Sequence, residues 1–101
     1  MAIIGAVSIP STTRKWLTID YPWLEAGETI NTLDVAVDGA DAGSVLYGQE
    51  INNAEKMCRV LFGGEGVLDD GDRAVVAMTV LTSMGQKVTD HIEIIIDNGG
   101  V

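Results

Sequence analysis

The side chains best suited to chemistry in this sequence begin with its single histidine. His91 stands two residues before Glu93, and a carboxylate so placed could orient an imidazole for general acid–base work. That chemistry also needs a substrate cleft and a third orienting group, and the sequence offers no nucleophile–base pair. We therefore predict that His91 lies on the solvated face of a strand, that no residue is catalytic, and that the protein is not an enzyme.

The single cysteine is the next candidate. Cys58 alternates with Val60 and Phe62, so all three side chains point the same way if this segment is a strand. A thiol in an apolar row is typical of a buried and unreactive side chain. Because no second cysteine is present, no disulfide can form within the chain.

Two turn-like clusters could hold ligands. The run Asp69-Asp70-Gly71-Asp72 offers oxygen atoms suited to Ca²⁺, but its spacing is not that of an EF-hand, whose final glutamate position is occupied here by Leu81. The glycine cluster at residues 63–66 lacks the Lys-Ser/Thr of a phosphate-binding loop. Both clusters are predicted to be turns between strands, with no metal and no cofactor.

Composition limits the class of protein. A chain of 101 residues with 47% apolar side chains forms one domain with a real core. Fifteen acidic residues against six basic ones give a net charge of −9, which repels phosphate and disfavours binding to nucleic acid. A partner with a basic surface suits this charge better.

The apolar N-terminus resembles a targeting segment only superficially. Residues 1–10 lack a positively charged start, and Gly5, Ser8 and Pro10 interrupt a run too short to span a membrane. We predict an edge strand, or an arm that lies on a neighbouring subunit, over residues 1–13. The protein is then expected to stay in the cytoplasm of its producer until assembly.

Alternation of apolar and polar residues with period two is the main structural signal. It predicts strands over residues 14–19, 29–37, 55–62 and 89–96, each with one face on a core. Residues 49–56 could hold a single helical turn, and Trp23 is expected to fill the core. The predicted core comprises Trp23, Leu33, Val35, Val37, Cys58, Val60, Phe62, Val76, Met78, Val80, Ile92, Ile94 and Ile96.

The segment 74–82 is apolar on both faces, which a single core does not explain. Val76, Met78 and Val80 form one face, and Val75, Ala77 and Leu81 form the other. The second face needs a further cover, and we predict that a neighbouring subunit in a homo-oligomer supplies it. The candidate interface residues are Val75, Ala77, Leu81, Ile95 and Trp16.

Turn residues separate the strands and define the fold class. Residues 38–43 end one strand, and residues 83–87 join the last two as a hairpin in which Gly85 takes a positive φ. We predict an all-β fold, an immunoglobulin-like antiparallel β-sandwich of about six or seven strands, over residues 14–97. Residues 98–101 are expected to form a flexible tail.

Two segments resemble a known group of proteins. Residues 21–30 read Tyr-Pro-Trp-Leu-Glu-Ala-Gly-Glu-Thr-Ile, and Val-Leu-Phe-Gly-Gly at 60–64 precedes the apolar strand, hairpin and Ile-rich strand that begin at residue 75. Together they resemble small bacteriophage virion proteins, described as fibre-like or head-associated, with an immunoglobulin-like fold. Asp72 to Met78 also has the spacing of a penultimate immunoglobulin strand, with Val76 in place of its tyrosine and Met78 in place of its cysteine.

The resemblance implies a structural role in the virion, with other phage structural proteins, such as the major capsid or tail proteins, as partners. A capsid decoration or cement protein at the head surface is the preferred hypothesis, and a tail or fibre component is the alternative. No membrane or nucleic-acid partner is expected. A carbohydrate-binding adhesion module is a further hypothesis, in which Trp16, Trp23, Tyr21 and Tyr47 would form a stacking platform.

Overall fold

Residues 3–99 fold into seven strands and one helical turn. The computed structural model describes residues 3–99, and their side chains from residue 5 onward. The elements are β1 (Ile3–Ile9), β2 (Arg14–Asp20), β3 (Ile30–Asp38), α1 (Ala42–Val45), β4 (Leu46–Asn52), β5 (Met57–Gly63), β6 (Arg73–Thr82) and β7 (Lys87–Ile96).

The strands form two sheets, so the predicted all-β, two-sheet fold is confirmed. One sheet has four strands in the order β1-β7-β6-β3, and the other has three in the order β2-β5-β4. Neighbouring strands are antiparallel except β1, which runs parallel to β7 at the edge of its sheet. All pairs between strands of residues 14–97 are antiparallel, and the parallel pair is made by β1, which lies in the segment predicted to be an edge strand or an arm. The chain leaves β1 for the other sheet and returns beside it only at β7.

The inward faces of both sheets meet in one core. Twelve of the thirteen predicted core side chains contribute: Val35 and Val37 are partly buried against the cluster, and ten are fully within it, namely Leu33, Cys58, Val60, Phe62, Val76, Met78, Val80, Ile92, Ile94 and Ile96. Each fully buried Val, Ile or Phe side chain contributes roughly 1.5–3 kcal/mol relative to an exposed one. Because every strand has period two, this core dictates which side chains face outward.

The prediction that Trp23 fills the core is wrong, because Tyr21 takes that position. The Tyr21 N–H donates to the carbonyl of Lys56 at 2.8 Å, so Tyr21 keeps the inward phase of Leu17 and Ile19 just beyond β2. Trp23 lies in the turn after β2 and is 40% exposed. Its ring packs edge-on against the Tyr21 ring, with the two centroids 5.8 Å apart.

The helical turn expected within residues 49–56 is also misplaced. β4 extends through Asn52, and the side chain of Asn52 accepts a hydrogen bond from the Glu55 N–H in the turn that follows. Lys56 then adopts a φ of 54°, which reverses the chain into β5. The short helix within residues 3–99 lies earlier, at Ala42–Val45, where the chain crosses from β3 to β4.

Amide side chains close one open side between the sheets. The Asn53 side chain donates to the carbonyl of Ile30 at 3.2 Å and accepts from its N–H at 2.7 Å, as a paired strand residue would. Gln49 donates to the carbonyl of Leu33 at 3.0 Å. These bonds tie β4 to β3 and satisfy backbone groups at the edge of the four-stranded sheet.

The loop before β3 is fastened to the β6–β7 hairpin by a buried carboxylate. Glu28 accepts hydrogen bonds from the Thr82 hydroxyl, from the Gln86 amide at 3.0 and 3.1 Å, and from the Glu25 N–H at 3.0 Å. The hydrogen bond from Thr82, followed by that from the Glu25 N–H, lowers the pKa of Glu28 below its ordinary 4.5. Gly85 has the predicted positive φ, at 85°.

The opposite end of the molecule holds the last described residues. The Asn98 side chain accepts from the Ser11 N–H at 2.7 Å, and the Asn98 N–H donates to Asp70 at 2.8 Å. These two bonds connect Asn98 with two loops, and the flexible tail over residues 98–101 stays a prediction. Residues 100–101 of that prediction lie outside the described residues.

The Glu28 contacts predict an acid-sensitive fold. A carboxyl whose pKa is lowered by folding stabilises the protein fully above its ordinary pKa, and that stabilisation is lost as the pH falls through the lower folded value. Urea unfolding followed from about pH 7 to about pH 3 should show a smaller pH dependence for Glu28→Gln, which should also be less stable at neutral pH. Glu25→Gln, at an exposed neighbouring side chain, should behave like the wild type. Equal acid sensitivity of wild type and Glu28→Gln would contradict this role.

Gly39, after β3, has a φ of 94°, and a Cβ there would lie 2.7 Å from the carbonyl oxygen of Arg73. Gly39→Ala should lower the free energy of unfolding by about 1–3 kcal/mol, measured by chemical denaturation. Gly85→Ala is the matched control, since it shares the positive φ (85°) but meets no atom within 4 Å. A loss no larger than that of Gly85→Ala would mean that the contact with Arg73 does not matter.

Candidate functional site

Of the residues considered for catalysis, His91 and Glu93 share a sheet face and Cys58 lies apart from them. His91 is half-buried on the outer face of β7, in register with Ala77 of β6. Glu93 lies on the same outer face, with a carboxylate oxygen 3.8 Å from a guanidinium nitrogen of Arg73. Cys58 points into the core from β5 in the other sheet.

The environment of Cys58 makes its thiol a poor nucleophile. The side chain is fully buried, and this burial raises its pKa to about 11. Since the thiolate is the reactive form, little of it exists near neutral pH.

The carboxylates of the acidic turn bind backbone groups. Asp72 accepts a hydrogen bond from the Asp69 N–H at 2.8 Å, and Asp70 accepts from the Asn98 N–H. The turn is thus a polar turn of the predicted kind, with Asp72 capping it. Across residues 3–99, no three or more His, Cys, Asp or Glu side chains are grouped so that they could hold a metal ion.

The outer face of the four-stranded sheet carries a shallow recess. Ala36 of β3 pairs with Ala77 of β6, and Ala77 pairs with His91 of β7, so two methyl groups form its floor. Val75 and Asp38 line it on the neighbouring rung, and its volume is about 120 Å³. The recess is therefore apolar at its centre and has a carboxylate at its margin.

The outer face of the three-stranded sheet carries aromatic rings covered by arginines. The Arg59 guanidinium lies 4.1 Å from the centroid of the Trp16 ring, and that of Arg14 lies 3.8 Å from the centroid of Tyr47. Arg59 also pairs with Glu50 at 2.9 Å. Stacked guanidinium groups of this kind contribute about 0.5–1 kcal/mol each at exposed sites.

Two glycines leave space for these side chains on the sheet. A Cβ at Gly48 of β4 would lie 3.7 Å from Cη2 of Trp16, so the indole reaches from β2 across β5. A Cβ at Gly63 of β5 would lie 2.8 Å from Cγ of Arg14 and 3.1 Å from Cε2 of Tyr47. The glycines thus let these large side chains pack directly on the backbone.

The predicted interface residues fall on two opposite faces. Val75 and Ala77 border the recess, Leu81 is exposed further along β6, and Ile95 is half-buried on β7. Trp16 lies on the other sheet and is 38% exposed. Sequence analysis named Tyr47 as a stacking ring for carbohydrate but missed the two arginines, although Arg14 and Trp16 share an outward phase and Gly48 and Gly63 mark the open positions.

The four-ring platform suggested for carbohydrate binding is not formed. Tyr21 is fully buried, and Trp23 packs on Tyr21 rather than beside Trp16. Only Trp16 and Tyr47 share a face, and an arginine covers one side of each ring.

In the described part of the chain, no helix has the length and apolar character needed to cross a membrane. Comparison of the chain with protein-family models and with curated proteins gives no match.

The burial of Cys58 predicts its reactivity. In the folded protein at about pH 8, the thiol should react with a disulfide reagent at least about a hundredfold more slowly than a free thiol of ordinary pKa ~8.5. In denaturant it should react at the ordinary rate, which is the internal control. Rapid labelling of the folded protein, followed spectrophotometrically, would contradict a buried thiol.

Proposed function

We propose that this protein is a non-enzymatic structural subunit of a bacteriophage particle that binds other virion subunits at the capsid surface, as a decoration or cement protein. The main observation that supports this proposal is the group of apolar side chains on the outer face of the four-stranded sheet. Leu81 is 41% exposed there, and Val75 and Ala77 border a recess lined by β3, β6 and β7. The Thr79–Thr89 pair separates Leu81 from the recess, so the apolar surface is in two parts. Exposed apolar patches on a small domain are typical of protein–protein contacts.

The strand order supports the finer, immunoglobulin-like part of this proposal. The order β2-β5-β4 corresponds to strands B-E-D of an immunoglobulin sandwich, and β3-β6-β7 corresponds to C-F-G. In this reading Met78 of β6 stands where the penultimate strand carries its cysteine, and Val76 where it carries its tyrosine. The resemblance of residues 14–97 to small virion proteins points to the same fold and role.

The site chemistry also favours binding over catalysis as the function. The thiol is buried in the core, the acidic turn uses its carboxylates on the backbone, and His91 lies at a shallow recess on an open sheet face. A tail or fibre subunit would need the same kind of protein–protein contact, so an experiment must distinguish this location from the capsid surface.

Immunogold electron microscopy of purified particles tests the proposal. Antibodies against the protein should label capsids on intact particles, and pre-immune serum should not. Labelling confined to tails would reject the head-surface role and favour the tail or fibre alternative. Absence of the protein from both intact and disrupted particles, measured by immunoblot, would reject a virion role altogether.

A further inference from the structure

The recess on the four-stranded sheet has a shape set by residue size. Its floor consists of Ala36 and Ala77, which lie side by side in register, whereas Val75 stands higher on the next rung. Asp38 and His91 also line the recess, and Asp34 lies beyond its lining, on the side of Ala36 away from Asp38 along β3. An apolar depression flanked by carboxylates fits an apolar group that carries positive charge beside it.

The three-stranded sheet offers such a group on the opposite side of the molecule. Trp16 and Tyr47 lie on it as large, partly exposed rings, and Arg59 and Arg14 lie against them. We call these four side chains the ridge. Trp, Tyr and Arg are the residue types that dominate the binding energy of protein interfaces.

Charge distinguishes the ridge from most of the surface. The chain carries a net charge of −9, yet the ridge presents two arginines. Arg59 is paired with Glu50, whereas among residues 3–99 Arg14 forms no salt bridge. The Arg14 guanidinium, which is already held in place by its contact with Tyr47, is therefore free to pair with a carboxylate of another molecule.

We propose that the ridge of one copy of this protein docks into the recess of a second copy, with Trp16 seated over Ala36 and Ala77. The charge complementarity of the arginines with Asp34 and Asp38 identifies a second copy as the occupant. Because the two surfaces lie on opposite faces, the contact is heterologous and repeats, which generates a closed ring or an open filament.

This geometry accounts for three of the five predicted interface residues, and Leu81 and Ile95 lie outside it. Val75 and Ala77 belong to the recess and Trp16 to the ridge, so a single repeated contact covers both faces. The proposal does not depend on the virion role, since it concerns the purified chain alone.

Sedimentation analysis of the purified protein up to about 1 mM tests the contact. The wild type should associate. Trp16→Ala should weaken association at least about thirtyfold, as loss of a central aromatic does at other interfaces. Trp23→Ala is the matched control, since Trp23 is equally exposed (40% against 38%) but lies off the ridge and should leave association unchanged.

The recess is tested by Ala77→Lys, which fills the depression and should weaken association to a similar extent, with Ala26→Lys in an exposed loop as its control. Should Trp16→Ala fail to fold by circular dichroism, Arg14→Glu, at an exposed residue, alters the ridge without removing a ring. It should weaken association at least about tenfold.

Mixing the variants decides between this contact and a symmetric one. Trp16→Ala keeps an intact recess and Ala77→Lys keeps an intact ridge, so an equimolar mixture should form a heterodimer that grows no further. Continued self-association of either variant alone, failure of the mixture to dimerise, or a monomeric wild type at every concentration would overturn the proposal. None of these outcomes bears on labelling of virions.

Discussion

The contact between the inner faces of the two sheets is the constraint on which the rest of the structure depends. Val60 and Phe62 of β5 lie in one core with the inward-facing side chains of β6 and β7, and the side chains at the centre of this core are fully buried. No disulfide links the sheets, since Cys58 is the single cysteine, so apolar burial and close packing hold them together. Once these strands are committed to this core, their alternate side chains are forced outward.

Polar side chains complete what the apolar core leaves open. Asn53 and Gln49 bond the backbone of β3 where the two sheets meet at one edge, and Glu28 joins the loop before β3 to the last hairpin. A buried polar group is costly unless it is hydrogen-bonded, and each of these has partners from a distant part of the chain. They therefore fix the ends and one edge of the sandwich in a specific arrangement.

The outer faces differ because small residues are placed differently on them. On the four-stranded sheet, Ala36 and Ala77 create a depression towards the β3 edge of the face. On the three-stranded sheet, Gly48 and Gly63 sit beneath large side chains and allow these to lie on the backbone. Small residues on the strands thus produce a concave apolar surface on one sheet and an aromatic, cationic surface on the other.

The sequence by itself determined the all-β class, most strand positions and nearly all of the core, because period-two alternation is a local property that a single strand displays. It did not determine the fate of Trp23, since whether Tyr21 or Trp23 enters the core depends on the bond from Tyr21 to Lys56 in the turn between β4 and β5. The parallel pairing of β1 was likewise decided by β7, about 90 residues away in sequence. The ridge and the recess were decided only by tertiary structure, because each combines residues from three strands whose neighbourhood is set by the register of the sheets.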